Sequence, residues 1–414
     1  MTSGTLLQQI TDYANRADPY PFYAELRSTP VARQDDGTYL VGTYYEISGL
    51  LHDPRLSSDP RNLADRRGRL TEEEEAGLPP SFIRLDPPEH DRMRRLAMRA
   101  FGPPHNPRRI HGMRGELLRI VTDVIDELHG KERFDLVDDV AYPFPVTVIC
   151  RLLGVPREDE PRFHDWADDI VGGLDLTPGQ DFTERQRTAQ RARVELGGYL
   201  GGLIDQRRRN PGDDMLSALA TDQGPDGRMS PIEQITTAVL LLIAGHETTV
   251  NLITNGMLTL LRQPQHLERL AKEPDLAVPL VEELLRYEPP VQILPQRVAL
   301  ADIEIAGTVI PAGAPVWLAL ASGNRDPRRF PDPDRFDPDR QDNQHLGFGG
   351  GIHLCFGAPL ARLEAQMALT ELSQRLRNPR LLEDPPPYRR SPILRGPRHL
   401  PVAVDGTQEA RPTP

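Results

Sequence analysis

The sequence predicts a mainly α-helical fold with small β-sheets (α+β). Three observations carry this. A helix signal runs uninterrupted from Ser230 to Gln263. Several shorter helical stretches precede it, each bounded by Gly or Pro. After Pro290 the chain changes to short β-like runs and proline-rich coil. The 414 residues are 38% apolar and 27% charged, with 33 glycines. That composition supports a sizeable core and excludes disorder over most of the chain. Length alone allows two or three domains.

Taken in order, Thr38–Val41 reads as a small strand between Asp36-Gly37 and Gly42. A helix over Glu46–Leu51 stops at His52-Asp53-Pro54. Arg55–Pro80 is polar, with four glutamates at 72–75, and reads as a solvated loop or helix end. Asp86 is placed to cap a helix that passes Arg94, Arg95 and Met98 and ends before Gly102-Pro103-Pro104. Helices follow over Ile110–Leu128, Ala141–Leu153, Arg157–Gly172 and Thr183–Arg209. Ser230-Pro231-Ile232-Glu233 is a capping box with proline at the first helical position. The helix it opens is over thirty residues, about 50 Å at 1.5 Å per residue, and stops at Pro264. Its middle, Ala238–Ala244, is apolar all round and predicts burial. Short strands follow at Val291–Ala299, Ile303–Ala306 and Ala314–Leu318. Ordered coil comes next at Asn324–Arg340, then a glycine loop at Gly347–Gly357 and a helix at Ala358–Leu376. Possible strand pieces lie at Ile393-Leu394 and Val402–Val404.

Proline, at 42 residues, is about twice its average usage of roughly 5%, which fits many helix stops rather than a collagen repeat. The net charge of −12 excludes a general nucleic-acid binder and leaves room for a local basic docking face. Two cysteines, Cys150 and Cys355, exclude a disulfide framework and a four-cysteine zinc site. No signal peptide is visible, and no run reaches about 18 consecutive apolar residues. The expectation is a cytoplasmic protein without membrane attachment.

Three motifs carry chemistry. The loop Phe348-Gly349-Gly350-Gly351-Ile352-His353-Leu354-Cys355-Phe356-Gly357 lacks the Lys-Ser/Thr of a phosphate loop and the glycine spacing of a dinucleotide fingerprint. It leaves one cysteine among glycines, directly before a helix whose positive end favours a thiolate. Alone, Cys355 reads as a packed core thiol. In this loop it meets what a thiolate-ligated iron requires. Ala244-Gly245-His246-Glu247-Thr248-Thr249 puts an acid and two alcohols inside a buried helix. It is either a satisfied polar pair or a proton relay, with Thr248 bonding back to a carbonyl and opening a groove beside Gly245. Glu283 and Arg286, one turn apart, form an ion pair that is usually a minor surface feature.

Together, in this order, the motifs resemble the cytochrome P450 superfamily of soluble bacterial type. The cysteine loop fits its Phe-Gly-x-Gly-x-His-x-Cys-x-Gly signature at every defined position. Ala244–Thr249 fits its oxygen-activation motif, and Glu283/Arg286 fit its Glu-x-x-Arg pair. Arg325-Asp326-Pro327 and Pro333-Asp334-Arg335-Phe336 look like the segment before the haem loop. The resemblance covers about Asp18–Val404. It implies one P450 domain over 1–414, with 1–17 and 406–414 as loose termini. The haem would lie between the long distal helix and the cysteine loop with its proximal helix.

The resemblance also implies roles. Cys355 corresponds to the iron ligand, the only metal-binding residue, and Phe348 to the aromatic beside it. Gly349, Gly357, Ala244 and Gly245 border the haem. His90, Arg94, Arg297 and His353 correspond to propionate holders. Glu247 and Thr248 become the catalytic proton relay, and Glu283/Arg286 a structural brace. Family pocket positions map to Ile83, Leu240, Ala244, Val291, Ile293, Leu294 and Ile393, an aliphatic set expecting a mid-sized hydrophobic substrate such as a terpenoid, steroid or polyketide. The cofactor implied is haem b, with O2 as co-substrate and the acid–alcohol pair favouring an O2-dependent monooxygenase. No flavin or iron–sulfur domain is visible, so NAD(P)H electrons are expected through a ferredoxin reductase and a ferredoxin to a monomer. Arg362 and Arg109 are candidate docking cations, and ordinary surface arginines otherwise. Two alternatives stay open: haem-thiolate chemistry used for phenol or aryl coupling, epoxidation or dealkylation, and a haem-binding sensor without turnover. Cys150 reads as an inert helical thiol.

Overall fold

The computed structural model describes residues 5–63, 78–101, 110, 112–173, 182–224 and 227–409. Its helices are α1 (Leu6–Thr11), α2 (Tyr20–Leu26), α3 (Tyr44–Leu51), α4 (Glu89–Phe101), α5 (Arg114–Asp126), α6 (Pro143–Leu153), α7 (Glu160–Gly172), α8 (Phe182–Arg209) and α9 (Met215–Thr221). They continue with α10 (Pro231–Arg262), α11 (Pro264–Lys272), α12 (Ala277–Tyr287), α13 (Leu320–Gly323) and α14 (Ala358–Arg375). The strands are β1 (Val31–Arg33), β2 (Tyr39–Val41), β3 (Leu56–Ser57), β4 (Arg133–Asp135), β5 (Leu294–Ala299), β6 (Ile303–Ile305), β7 (Thr308–Ile310), β8 (Pro315–Leu318), β9 (Arg380–Leu381) and β10 (Pro401–Ala403). They form a five-stranded sheet ordered β1-β2-β8-β5-β3, a three-stranded sheet β4-β10-β9 and the hairpin β6-β7.

Helix α10 organises the structure. Ser230 and Glu233 make the reciprocal capping box, each side chain bonding the other residue's backbone N–H. Pro264 ends α10 and opens α11, where a missing N–H costs nothing. By length and composition α10 could cross a bilayer, but 67% of its most apolar window is buried inside the protein. It packs against α6, α8 and α14, and its buried side chains join the largest core cluster. One stretch departs from the all-round burial predicted for it. Leu240, Ile243 and Ala244 face cavities rather than core. Gly245 allows α6 to approach, since a Cβ there would lie 2.9 Å from Ile149 Cδ1.

Several expectations change. Asp86 does not cap α4, which starts at Glu89. Its carboxylate instead accepts from Ser58 N (2.9 Å), Asn62 Nδ2 (3.2 Å) and Ser57 Oγ, pinning the segment after β3. Ser57, Ser58 and Asp59 are buried, so the start of the predicted solvated loop is packed. Residues 64–77, with the four glutamates, lie outside the described residues, as do Gly102-Pro103-Pro104. Residues 5–17 are not loose: α1 buries Ile10, and Arg16 Nη2 donates to Thr11 O and Arg390 O. At the other end, Gln408 N donates to Arg375 O and Thr407 bridges Leu376, so 406–409 are held too. Residues 1–4 and 410–414 are outside the description.

Candidate active site

A cavity of about 380 Å³ separates α10 from the cysteine loop. Ala244, Gly245, Thr248 and Thr249 form one wall. Phe348, Gly349, His353, Cys355 and Gly357 form the opposite one. The loop's shape is dictated by glycine. Gly351 sits at φ +60°, and a Cβ there would fall 2.0 Å from Leu51 O, so no other residue fits. Cys355 N donates to Phe348 O at 2.9 Å, folding the loop so that the sulfur opens to the cavity. Protein crowds the remaining sides of that sulfur, and burial pushes its thiol up. N–H groups of Gly357 and Ala358 and the guanidinium of Arg94 act against this. Desolvation thus opposes the helix-end effect that favours a thiolate at this position.

On α10, the Thr248 hydroxyl donates to Ala244 O at 2.9 Å. That bond uses its only hydrogen, so its oxygen is left as an acceptor at the cavity wall. Thr249 makes the same i−4 bond to Gly245 O at 3.3 Å. Glu247 does not border the sulfur-side cavity. It is 1% exposed, reaches a second, outer cavity of about 570 Å³, and pairs with Arg389 Nη1 at 3.0 Å. His246, on the same turn, is buried, and desolvation lowers its pKa.

Four cationic or potentially cationic groups converge beside the cysteine. The rings of His90 and His353 are 4.3 Å apart, and Arg94 Nη2 donates to Leu354 O at 2.6 Å. Arg297 donates to Ser58 Oγ at 2.5 Å. Burial drops the His353 pKa to about 3, with Arg297, His90 and Arg94 adding repulsion. Burial likewise lowers Arg297 to about 10. Two buried atoms, His90 Nε2 and His353 Nδ1, have no hydrogen-bond partner. A group bringing two carboxylates would satisfy both and offset the clustered charge, which is the chemistry of a haem's propionates. The residues present fit that group.

The aliphatic set divides. Ile83, Ala244, Val291 and Leu294 line the inner cavity, and Leu240 the outer one. Ile293 and Ile393 do not. Ile293 is fully buried in a separate core with Tyr20, Leu26 and Leu40. Neighbours in extended chain point to opposite faces, so Leu294 takes the cavity side. Leu394, paired in a bridge with Val291, reaches the outer cavity, and Ile393, in the bend before it, does not. Arg362 was a candidate docking cation, but it binds Glu282 through Nε (2.6 Å) and Nη2 (2.9 Å) and stacks 4.5 Å from the Phe348 ring. Its charge is neutralised there. Arg109 lies outside the described residues.

Sequence reasoning gave Thr249 no role of its own and missed Glu364, Arg84 and Arg193, all cavity residues, and Arg389, the partner of Glu247. Glu364 is buried on α14 with Oε2 unpartnered, and burial raises its carboxyl well above the ordinary range. Thr249 lies inside the α10 motif, and Arg84 follows the pocket residue Ile83; Arg389 and Arg193 are far in sequence from what they face.

The Glu282 contact yields a pH prediction. Burial raises the Glu282 carboxyl, but hydrogen bonds from His345 and Arg362 outweigh it and hold the pKa at about 2. A depressed carboxylate stabilises the fold above its unfolded pKa, near 4.5, and loses that contribution as pH falls toward 2. Thermal midpoints of wild type and Glu282→Gln should therefore differ at neutral pH and converge through that window. A constant difference would contradict the pairing.

An acceptor oxygen on a buried helix, a cysteine facing it across one cavity and a cluster of basic side chains beside that cysteine are the parts of a haem-thiolate oxidase. The comparisons agree. The cytochrome P450 family model matches residues 62–399. The chain is 42% identical over 406 residues to cytochrome P450 monooxygenase PikC of Streptomyces venezuelae, covering 95% of this chain and 93% of that one. It is 38% identical to 6-deoxyerythronolide B hydroxylase of Saccharopolyspora erythraea, covering 97% and 100%. The crystal structure of Mycobacterium smegmatis CYP164A2 superposes with a TM-score of 0.86 at 41% identity, covering 96% and 99%. This chain belongs to the cytochrome P450 family and is a P450 monooxygenase. The family brings a haem cofactor and uses O2.

Proposed function

We propose that the protein uses haem b to insert one atom of O2 into a mid-sized hydrophobic substrate, chiefly as a hydroxylation. The observation that carries this is the placement of Thr248 and Cys355 on opposite walls of one cavity, with two buried ring nitrogens, His90 Nε2 and His353 Nδ1, left without a partner beside the cysteine. Bound there, a thiolate-held haem would supply the oxidising chemistry.

The chain's own residues do the rest. Cys355 would hold the haem iron through its sulfur, with the N–H groups of Gly357 and Ala358 steadying its charge. His90, Arg94, Arg297 and His353 would hold its two propionates. Thr248, its hydrogen committed to Ala244 O, accepts a hydrogen bond from a water and so orients that water's other proton into the cavity. Glu247 stands one residue away at the outer cavity, held on Arg389, and passes protons inward from solvent. Ile83, Leu240, Ala244, Val291 and Leu294 exclude water and hold the substrate by burial. A terpenoid, steroid or polyketide skeleton suits these walls, and the similarity to 6-deoxyerythronolide B hydroxylase supports the polyketide end of that range. Electrons come from NAD(P)H through a ferredoxin reductase and a ferredoxin, to a monomer in the cytoplasm.

The test is reconstitution with a ferredoxin system under labelled O2. One labelled oxygen in the product supports oxygen insertion, whereas unlabelled coupled product overturns it. In the same assay Thr248→Ala should lower product per NAD(P)H at least about tenfold, with the lost electrons appearing as peroxide. Unchanged coupling would remove Thr248 from the relay.

A further inference from the structure

The outer cavity is not the purely aliphatic space that its sequence positions suggested. Leu78, Ile83, Ile170, Val239, Leu240 and Ile243 contribute its apolar surface. Three arginines and one glutamate also reach it: Arg61, Arg84, Arg193 and Glu247. Two of these charges are already matched. Arg61 binds the Asp59 carboxylate, with Nη2 at 2.5 Å from Oδ2, and Glu247 binds Arg389. The other two are not. Arg84 Nη2 donates to Gln296 Oε1 at 3.0 Å, a neutral amide. Arg193, on the inner side of α8 between the buried Ala192 and Leu196, has no hydrogen-bond or ion-pair partner among the described residues.

Two half-buried guanidiniums therefore face one apolar cavity without a carboxylate of their own among the described residues. Burial lowers the pKa of both, and the Arg193 charge adds to the effect on Arg84, which nearby Asp59 only partly relieves. Such an arrangement is costly unless something compensates it. The backbone is bent to build it. β5 carries a bulge between Leu294 and Arg297, and Gln296 is held at φ 59°, a left-handed conformation rare for a residue with a side chain. The bulge sends Gln296 to Arg84 while Arg297 turns to Ser58.

We propose that the substrate carries a carboxylate, gripped by Arg193 and Arg84, on an aliphatic body that extends along the outer cavity toward Ala244 and Thr248. A planar carboxylate matches the guanidinium fork, and the apolar walls take the chain. This assignment rests on the monooxygenase reading above and narrows its substrate class from hydrophobic to anionic amphiphile. It also sets which end of the molecule is presented: the head is anchored at the arginines, so oxidation falls on the distal carbons.

The experiment uses the haem-loaded full chain and the substrate-induced spin-state shift. The probes are straight-chain acids from decanoate to hexadecanoate, with the methyl ester and the primary alcohol of each. At low ionic strength at least one acid should bind about tenfold or more tightly than its ester and alcohol. Added salt should weaken the acid alone. Arg193→Gln should remove that preference while leaving ester affinity within about twofold, and Arg193→Lys should restore part of it. Equal binding of acid and ester, equal weakening of both by Arg193→Gln, or no binding by any acid would overturn the anion site. The reduced carbon-monoxide spectrum keeps the two claims apart. A thiolate-type band without acid preference sinks the carboxylate assignment alone, and its absence sinks the underlying haem-thiolate reading.

Discussion

Cys355→Ala should fold normally, yet lose the red-shifted absorption of the reduced carbon-monoxide complex and all turnover above background. Folding survives because the sulfur opens onto a cavity rather than filling core. Only backbone N–H groups and distant cations attend it, so truncation leaves no buried partner stranded. The loop's shape is independent of that side chain, being set by Gly351 against Leu51 O and by the Cys355 N to Phe348 O bond. Chemistry is lost because the described structure brings no other thiolate, and no side chain of comparable electron donation, to that wall. The control is Cys150→Ala. Cys150 is fully buried on α6, and burial pushes its thiol far up, as expected of an inert core residue. That variant should keep the spectrum and lose about 1 kcal/mol of stability. A Cys355→Ala protein retaining the band would end the ligand assignment, and unfolding of Cys355→Ala alone would show that the loop depends on its thiol.

What the sequence made legible were features written in contiguous residues. The capping box at Ser230 and Glu233, the stop at Pro264 and the glycine loop each depend on neighbours along the chain, and each stands in the structure where local rules put it. What stayed hidden depends on contacts between distant segments. Arg389 comes from the tail region to meet Glu247, and nothing near either residue announces it. Arg193 is one of several arginines on α8, and only the packing of that helix turns it inward. Ile293 and Ile393 failed for a simpler reason. Identity and approximate position marked them as pocket residues, but a one-residue step along the chain decides which side chain faces the cavity, and Leu294 and Leu394 took the places instead. Asp86 looked like a cap because it precedes a helix. The Ser57–Asn62 segment, close in space, competes for the same carboxylate and wins it.

Arg286→Ala should cost about 3–5 kcal/mol, a large part of the roughly 5–15 kcal/mol that holds a protein folded. A surface pair one turn apart on a helix contributes only about 0.2–0.5 kcal/mol, so burial decides the difference. Both side chains are 0% exposed. Arg286 donates to the Glu283 carboxylate through Nε (2.8 Å) and Nη2 (2.7 Å). It also donates to three carbonyls, Asn324 O (3.0 Å), Pro333 O (2.7 Å) and Arg335 O (3.0 Å). Glu283 in turn accepts from Asp337 N (2.8 Å) and Asn343 Nδ2 (3.1 Å), with Arg340 beside it. The pair thus ties α12 to the coil over 324–343 at Asn324, Pro333, Arg335, Asp337 and Asn343. Removing Arg286 leaves a buried carboxylate and three carbonyls short of donors at once. Glu283→Gln should cost less, because the amide keeps an acceptor for Asp337 N while Arg286 keeps its three carbonyls. Glu283→Leu with Arg286→Met should cost less than the sum of the two single changes, since neither charge is then stranded. Denaturant unfolding measures all three, and a cost below about 1 kcal/mol for Arg286→Ala would reduce the pair to an ordinary ion pair. The damage should also reach the active site. Asn324 accepts from Leu346 N at 2.7 Å and donates to Leu285 O, so loosening this coil frees the entry to the cysteine loop. Haem retention should therefore fall in Arg286→Ala at denaturant concentrations where its helical signal is still intact.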